Sequence, residues 1–279
     1  MNDVVIRGGT IVTPHEVVKA DLVVSGGKIA TMGVNLIGKK EIDASGKLVF
    51  PGVIDAHTHM AAENYGINSS DDFLSGTIAA ACGGVTTIID FTVGDPKTSI
   101  SEEIEARKQE AAPSVVDYAL HAEVIGWEPG HEEEFERAQE AGVRTFKFYM
   151  AYGSLGQRSD SAVLYHAFRK ISEFGGVAMV HAEDDSIIES LLRQLPPAQK
   201  GSMAHYPRTR PPICEVLAIA EAVTLAENTG ARLHIVHVSS RQGLEIIHRA
   251  RTYGVRVSGE TCPQYLLLTE DVYKEPEGH

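Results

Sequence analysis

The sequence predicts an α/β fold: a TIM-type (β/α)8 barrel with seven of its eight strands present, preceded by a small N-terminal β-sandwich module. Three observations carry this expectation. From residue 52 onward, β-rich apolar runs alternate with helix-length segments at a spacing that suits a parallel sheet covered by helices. Residues able to do chemistry fall at the C-terminal ends of four different strands, as in barrels, whereas a nucleotide-binding open sheet concentrates its chemistry in the first glycine-rich turn. Neither GxGxxG nor GxxxxGK[ST] occurs in the chain.

Residues 1–51 form the expected β module. Val4–Ile6, Thr10–Thr13, Asp21–Val24 and Lys28–Ala30 read as short strands, separated by Gly8-Gly9 and Gly26-Gly27. Glycine pairs between β-rich runs are hairpin signals, so both pairs are expected at turns. No ionisable cluster has a site-like spacing here, so the module reads as structural. Residues 52–279 form the expected barrel region. Its first strand runs into His57 and His59 and is followed by a helix over 71–81. Strand 86–91 precedes an acidic helix over 101–111, strand 115–120 a helix over 132–140, and strand 144–150 a helix over 162–173. Strand 177–180 is followed by a helix over 187–193. A helix over 214–227 leads to strand 233–238, and a helix over 243–252 leads to the seventh strand, 255–261.

The candidate site grows from Phe50-Pro51-Gly52-Val53-Ile54-Asp55-Ala56-His57-Thr58-His59-Met60. Side chains alternate along an extended strand, so His57 and His59 point the same way and their imidazoles converge. Neutral imidazole is the commonest metal ligand and suits zinc. In Thr145-Phe146-Lys147-Phe148-Tyr149-Met150, the phenylalanines are expected to pack on helices, which turns Lys147 inward. A buried ammonium is costly unless paired. Lys147 is therefore either partnered by a carboxylate, or neutral and able to take up carbon dioxide as a carbamate that bridges two metals. His181 closes a fifth apolar strand. His237 lies in Leu233-His234-Ile235-Val236-His237-Val238, where alternation groups it with Leu233 and Ile235 and sends His234 to the other face. Alone, either histidine reads as a core residue; together with Lys147 at strand ends they are hard to explain by packing.

Composition narrows the partners. A net charge of -13 disfavours nonspecific binding to nucleic acid or an anionic membrane, both of which need clustered Lys and Arg. No apolar run reaches the roughly 18 residues of a membrane span, and the N-terminus lacks a basic region followed by an apolar core. A cytoplasmic location is expected, with small molecules, metals or other subunits as partners. Cys82, Cys214 and Cys262 are far apart and form no CxxC, so they suggest neither a disulfide framework nor a thiolate zinc site.

Taken in order, Pro51-Gly52-Val53-Ile54-Asp55-Ala56-His57-Thr58-His59, Gly83–Phe91, Lys147–Tyr152, Val180-His181-Ala182-Glu183, Thr209-Arg210-Pro211-Pro212, Val236–Ser239 and Gly259-Glu260-Thr261-Cys262-Pro263-Gln264-Tyr265 closely resemble the dihydropyrimidinase and hydantoinase branch of the cyclic amidohydrolases. The resemblance covers nearly the whole chain. It implies that His57 and His59 hold the more buried of two divalent metals, most simply zinc. His181 and His237 would hold the other, and carbamylated Lys147 would bridge them. It implies that Tyr152 hydrogen-bonds the substrate carbonyl as it becomes an oxyanion. The implied reaction opens a hydantoin or 5,6-dihydropyrimidine at a ring amide to give an N-carbamoyl amino acid. A hydroxide held between metals roughly 3.5 to 4 Å apart would be the nucleophile. The resemblance also implies a homo-oligomer, a tetramer.

Two departures qualify this expectation. The branch carries an aspartate after an eighth strand, and the chain ends after the seventh, so it reads as C-terminally truncated and, alone, inactive. Met60-Ala61-Ala62-Glu63 follows the His-x-His pair where dihydroorotase-like relatives carry an arginine, which disfavours an acidic substrate. Other rings, such as allantoin or dihydroorotate, and a dihydropyrimidinase-related binding protein without catalysis are the rival expectations. His121, His131, His166, His205 and His248 are expected to be non-ligands, and no role is assigned to Glu183 or Glu260.

Overall fold

The computed structural model describes residues 2–64 and 67–274. Contacts group the chain into two units, Met1–Asp55 with Ala80–Thr87, and Ala56–Ala79 with Ile88–His279.

The first unit holds β1 (Asn2–Val12), β2 (Val17–Ser25), β3 (Lys28–Gly33), β4 (Gly38–Asp43) and β5 (Leu48–Val49). They form one mixed sheet in the order β3-β2-β1-β4, with β5 also on β1. The β2–β3 hairpin turns at Gly26 and Gly27, both with positive φ (58° and 74°), the conformation a tight hairpin demands. Gly8-Gly9 does not turn the chain, contrary to expectation. β1 runs straight through it with a bulge between Ile6 and Gly9, and the Gly8 amide donates to buried Asp21 at 2.9 Å. The glycine pair supplies the positive φ of an irregular strand instead of a loop. β4 and β5 pair parallel with β1 and were not anticipated, because Lys39-Lys40-Glu41 reads as too polar for a strand.

The rest of the chain follows the strand–helix repeat. Its elements are β6 (Val53–Thr58), the short ribbon β7 (Glu63–Asn64) and β8 (Ile67–Asn68), α1 (Phe73–Cys82), β9 (Val85–Phe91), α2 (Ile100–Ala111), β10 (Asp117–Glu123), α3 (Glu133–Glu140), β11 (Thr145–Tyr149), α4 (Ser161–Glu173), β12 (Val177–His181), α5 (Asp185–Gln194), α6 (Tyr206–Thr209), α7 (Pro212–Thr229), β13 (Arg232–Ile235), α8 (Arg241–Thr252) and β14 (Val257–Gly259). Seven strands form a curled parallel sheet in the order β14-β13-β12-β11-β10-β9-β6. This is the barrel-type sheet with seven strands that the sequence predicts.

Side-chain alternation in β11 divides the structure into a packed layer and a chemical one. Phe146 and Phe148 are fully buried against α3 and α4, with ring centroids 4.9 Å from Phe135 and 6.0 Å from Phe168. Each such burial contributes about 1.5–3 kcal/mol. Lys147 is thereby driven to the opposite face, where Phe91, Met179 and Val236 form a small separate cluster. In a βα unit the helix start follows the strand end, so the helix N-caps lie on the same side as the strand C-termini. Ser99 and Glu102 form a capping box on α2, Asp160 caps α4 and Ser240 caps α8.

Candidate active site

β6 delivers His57, and the chain then bends so that His59 faces it: the two Nε2 atoms are 3.3 Å apart. The bend is fixed by Asp90 of β9. Its Oδ2 accepts from Thr58 Oγ1 at 2.8 Å and from the Met60 amide at 2.9 Å, and its Oδ1 accepts from Arg107 Nε at 3.0 Å. Arg107, on α2, also donates to the Met60 carbonyl and lies over the Phe73 ring at 4.6 Å. Asp90 and Arg107 are 0% and 2% exposed, so this buried pair is completed by hydrogen bonds on nearly every side. Phe91 walls the pair, its centroid 4.6 Å from each imidazole.

The second pair comes from two central strands. His181 is the last residue of β12, and His237 follows the end of β13 by two residues. His181 Nδ1 and His237 Nε2 are 3.2 Å apart. The alternation argument placed His237 with Leu233 and Ile235, and the structure corrects it. Leu233 and Ile235 are buried in the helix-side core, whereas His237 lies against His181 and His57, the latter with ring centroids 5.8 Å apart. β13 stops at Ile235, and His237 has φ of +39°, a left-handed conformation that breaks the period-two pattern. His234 is correspondingly on the site side, within 3.3 Å of Glu260.

Lys147 is 1% exposed. Its Nζ lies 5.0 Å from the Phe91 centroid and 4.7 Å from the Tyr149 centroid, and among the described residues no carboxylate stands within 4.0 Å of it. Burial lowers its pKa to about 8, against the upward pull of Glu123 and Glu260. Burial, together with the charges of His181, Lys147 and His57, lowers His237 to about 3, and burial holds His181 below the ordinary range. These imidazoles are neutral at physiological pH and keep a lone pair for a ligand.

Three carboxylates line the site. Glu123, at the end of β10, is buried and accepts from Tyr149 Oη; burial raises its pKa. Glu183 accepts from His181 Nε2 at 2.7 Å and pairs with Arg210. Glu260 accepts from His57 Nδ1. Burial opposes ionisation of Glu183 and Glu260, but the cationic and N–H partners around each outweigh it and hold both below the usual range. Tyr152 has φ of +67°, its ring 4.9 Å from that of His181 and 5.2 Å from the Arg210 guanidinium carbon. His121 is buried in mid-strand, bonded to Thr145 Oγ1 at 2.5 Å and to the Ala56 carbonyl at 3.1 Å, which gives it a packing role. Sequence reasoning passed over Asp90, Arg107 and Glu123. The available signal for Asp90 was a single carboxylate inside the apolar run Thr86–Phe91.

The structure thus gathers His57, His59, Lys147, His181, His237 and Tyr152 in one region. Among the described residues no three or more His, Cys, Asp or Glu side chains gather around a single point as for one metal ion. The imidazoles are arranged in twos.

The dihydro-orotase-like family model matches residues 46–243. The chain is 40% identical to a D-hydantoinase of Geobacillus stearothermophilus over 97% of its own length and 58% of that protein's. It is 36% identical to an allantoinase of Solibacter usitatus, covering 97% of this chain and 59% of the relative. The crystal structure of dihydropyrimidinase from Brevibacillus agri superposes with a TM-score of 0.94 at 33% identity, over 100% of this chain and 61% of the other. The chain therefore spans about 60% of the length of the relatives it matches. From the match of the family model over most of its length, the chain belongs to the dihydro-orotase-like family, and within it the chain is similar to proteins named hydantoinase, dihydropyrimidinase and allantoinase.

Proposed function

We propose that the protein hydrolyses a cyclic amide, opening a hydantoin or 5,6-dihydropyrimidine to an N-carbamoyl amino acid at a site for two divalent metals. The observation that carries this reading is two imidazole pairs, with nitrogens 3.3 and 3.2 Å apart, around one buried lysine that has no carboxylate partner among the described residues. Two nitrogens about 2.0–2.1 Å from one tetrahedral zinc stand about 3.3 Å apart, so each pair has the spacing of two ligands on one ion. A third donor for each is then required. Lys147 would suit that role as a carbamate: burial lowers the pKa of its amine to about 8, so it is neutral often enough to add carbon dioxide and become an anion. Metals held there supply a water-derived nucleophile at neutral pH and polarise the scissile carbonyl.

The chain's own residues supply the rest. His57 and His181 are held in orientation by carboxylates, so little reorganisation is needed on loading. Tyr152, its ring 4.9 Å from that of His181, would donate its phenol to the oxygen of the amide as charge develops there. Met60 and Ala61, following His59, offer no cation for a substrate carboxylate, which favours an uncharged ring. The named relatives include D-hydantoinases and an allantoinase, so a ureido-bearing hydantoin is the second substrate to test. A cytoplasmic enzyme that works as a homotetramer completes the reading; no helix of the described residues is long and apolar enough to cross a membrane. Turnover of the full-length protein on hydantoin, 5,6-dihydrouracil, allantoin and dihydroorotate, with metal content measured in parallel, tests it. Two metals per chain and preference for the uncharged rings are expected. Metal-free protein without turnover on any of the four would replace the enzyme reading with a binding role.

A further inference from the structure

We propose that Glu260 and Glu183 are positioning residues that impose opposite tautomers on the two histidine pairs. Glu260 keeps the His57 proton on Nδ1, and Glu183 keeps the His181 proton on Nε2. The consequence for metal binding rests on the proposed function; the tautomers themselves do not.

An ionised carboxylate only accepts hydrogen bonds, and a neutral imidazole carries a single N–H. Glu260 Oε1 faces His57 Nδ1, so the proton belongs there and the lone pair is left on Nε2, the atom 3.3 Å from His59. Glu183 Oε2 faces His181 Nε2 at 2.7 Å, so the proton belongs on that nitrogen and the lone pair on Nδ1, the atom 3.2 Å from His237. In both pairs the carboxylate thus leaves a lone pair on the nitrogen facing the partner histidine. It does so through opposite ring atoms.

The two carboxylates are braced differently. Glu183 lies two residues from the histidine it orients and is backed by Arg210, whose guanidinium lies over the rings of Tyr152 and Tyr206 at 5.2 and 5.5 Å. Glu260 acts across 203 positions of sequence. It follows β14, at one end of the sheet order, and reaches β6, at the other. His234 Nε2 backs it at 3.3 Å, and His234 Nδ1 is in turn 2.8 Å from Ser258 Oγ. Such outer carboxylates set the basicity and aim of a ligating imidazole, and their loss typically costs about 10–100-fold in metal affinity.

The test is long-range nitrogen–proton correlation NMR on the nitrogen-labelled, chelator-treated chain at a pH where its imidazoles are neutral, followed by zinc titration. The wild-type chain should show His57 protonated on Nδ1 and His181 on Nε2. Glu260→Gln should mix the tautomers of His57, leave that of His181 unchanged and weaken one zinc equivalent about 10–100-fold, and Glu183→Gln should mix those of His181, leave that of His57 unchanged and weaken the other equivalent. A wild-type chain with His57 protonated on Nε2 or His181 on Nδ1 overturns the proposal even if neither variant folds. So do folded variants that leave both tautomers unchanged. A chain that shows both tautomers and takes up no zinc supports the carboxylate assignment and overturns the metal reading instead.

Discussion

The two histidine pairs have almost the same nitrogen spacing and reach it by different means. The His57 and His59 pair lies at and just beyond the end of β6, and its geometry depends on a buried anchor: Asp90 grips Thr58 and Met60 on either side of His59, and Arg107 holds Asp90 and the Met60 carbonyl. The His181 and His237 pair lies on central strands that are hydrogen-bonded on both sides. Its own ion pair, Glu183 with Arg210, holds the imidazole of His181, and His237 joins it through a left-handed residue. The spacing of the first pair is therefore expected to depend on Asp90 and Arg107, and that of the second is not.

The largest expected effect removes what both pairs share. In the full-length protein, Lys147→Ala should abolish hydrolysis and lower metal content at both pairs, and short-chain carboxylic acids in solution should partly restore activity by filling the vacated bridge. Near-normal turnover without added acid would show that the pairs work without a common third donor.

Tyr152→Phe separates chemistry from metal retention. Loss of an oxyanion donor costs about 10²- to 10³-fold in turnover. Steady-state rates should fall by that factor while metal analysis stays at two per chain. A parallel fall in metal would make the tyrosine a support for His181, beside which it packs.

Asp90→Asn tests the asymmetry directly. Removing one partner of a buried ion pair costs about 3–5 kcal/mol, because Arg107 is left buried and uncompensated. Urea unfolding should report a loss of that size, and zinc competition should show the His57 and His59 pair weakened more than the other. Equal weakening of both pairs would mean that the anchor acts on the whole fold and not on the first pair.

The smallest effect is expected at the far end of the same anchor. Ser99 caps α2, the helix that carries Arg107. Ser99→Ala should cost about 0.5–2 kcal/mol of stability in thermal or urea unfolding. It should leave the zinc affinity of both pairs within experimental error, because Arg107 lies two turns further along.

Much of this architecture was legible in the chain. Hydrophobic periodicity set the alternation of strands and helices from Val53 to Gly259, and period-two reasoning in β11 put Lys147 opposite Phe146 and Phe148, because a strand buried on both faces still has to choose which face meets the helices. The His-x-His spacing and the polar strand ends marked where the chemistry lies. What the pattern could not carry was anything that departs from regular dihedrals or joins distant segments. Gly8 bulges a strand where a turn was expected, and His237 leaves its strand through a positive φ that no propensity announces; both are single-residue backbone choices imposed by neighbours. The contact of Glu260 with His57 exists only because the sheet curls until its two ends approach, a property of accumulated strand twist and not of any local segment. The sequence by itself determined which residue types were available at the strand ends. The tertiary structure decided the second pair, because His181 and His237, 56 positions apart, come within 3.2 Å only where the sheet sets β12 beside β13.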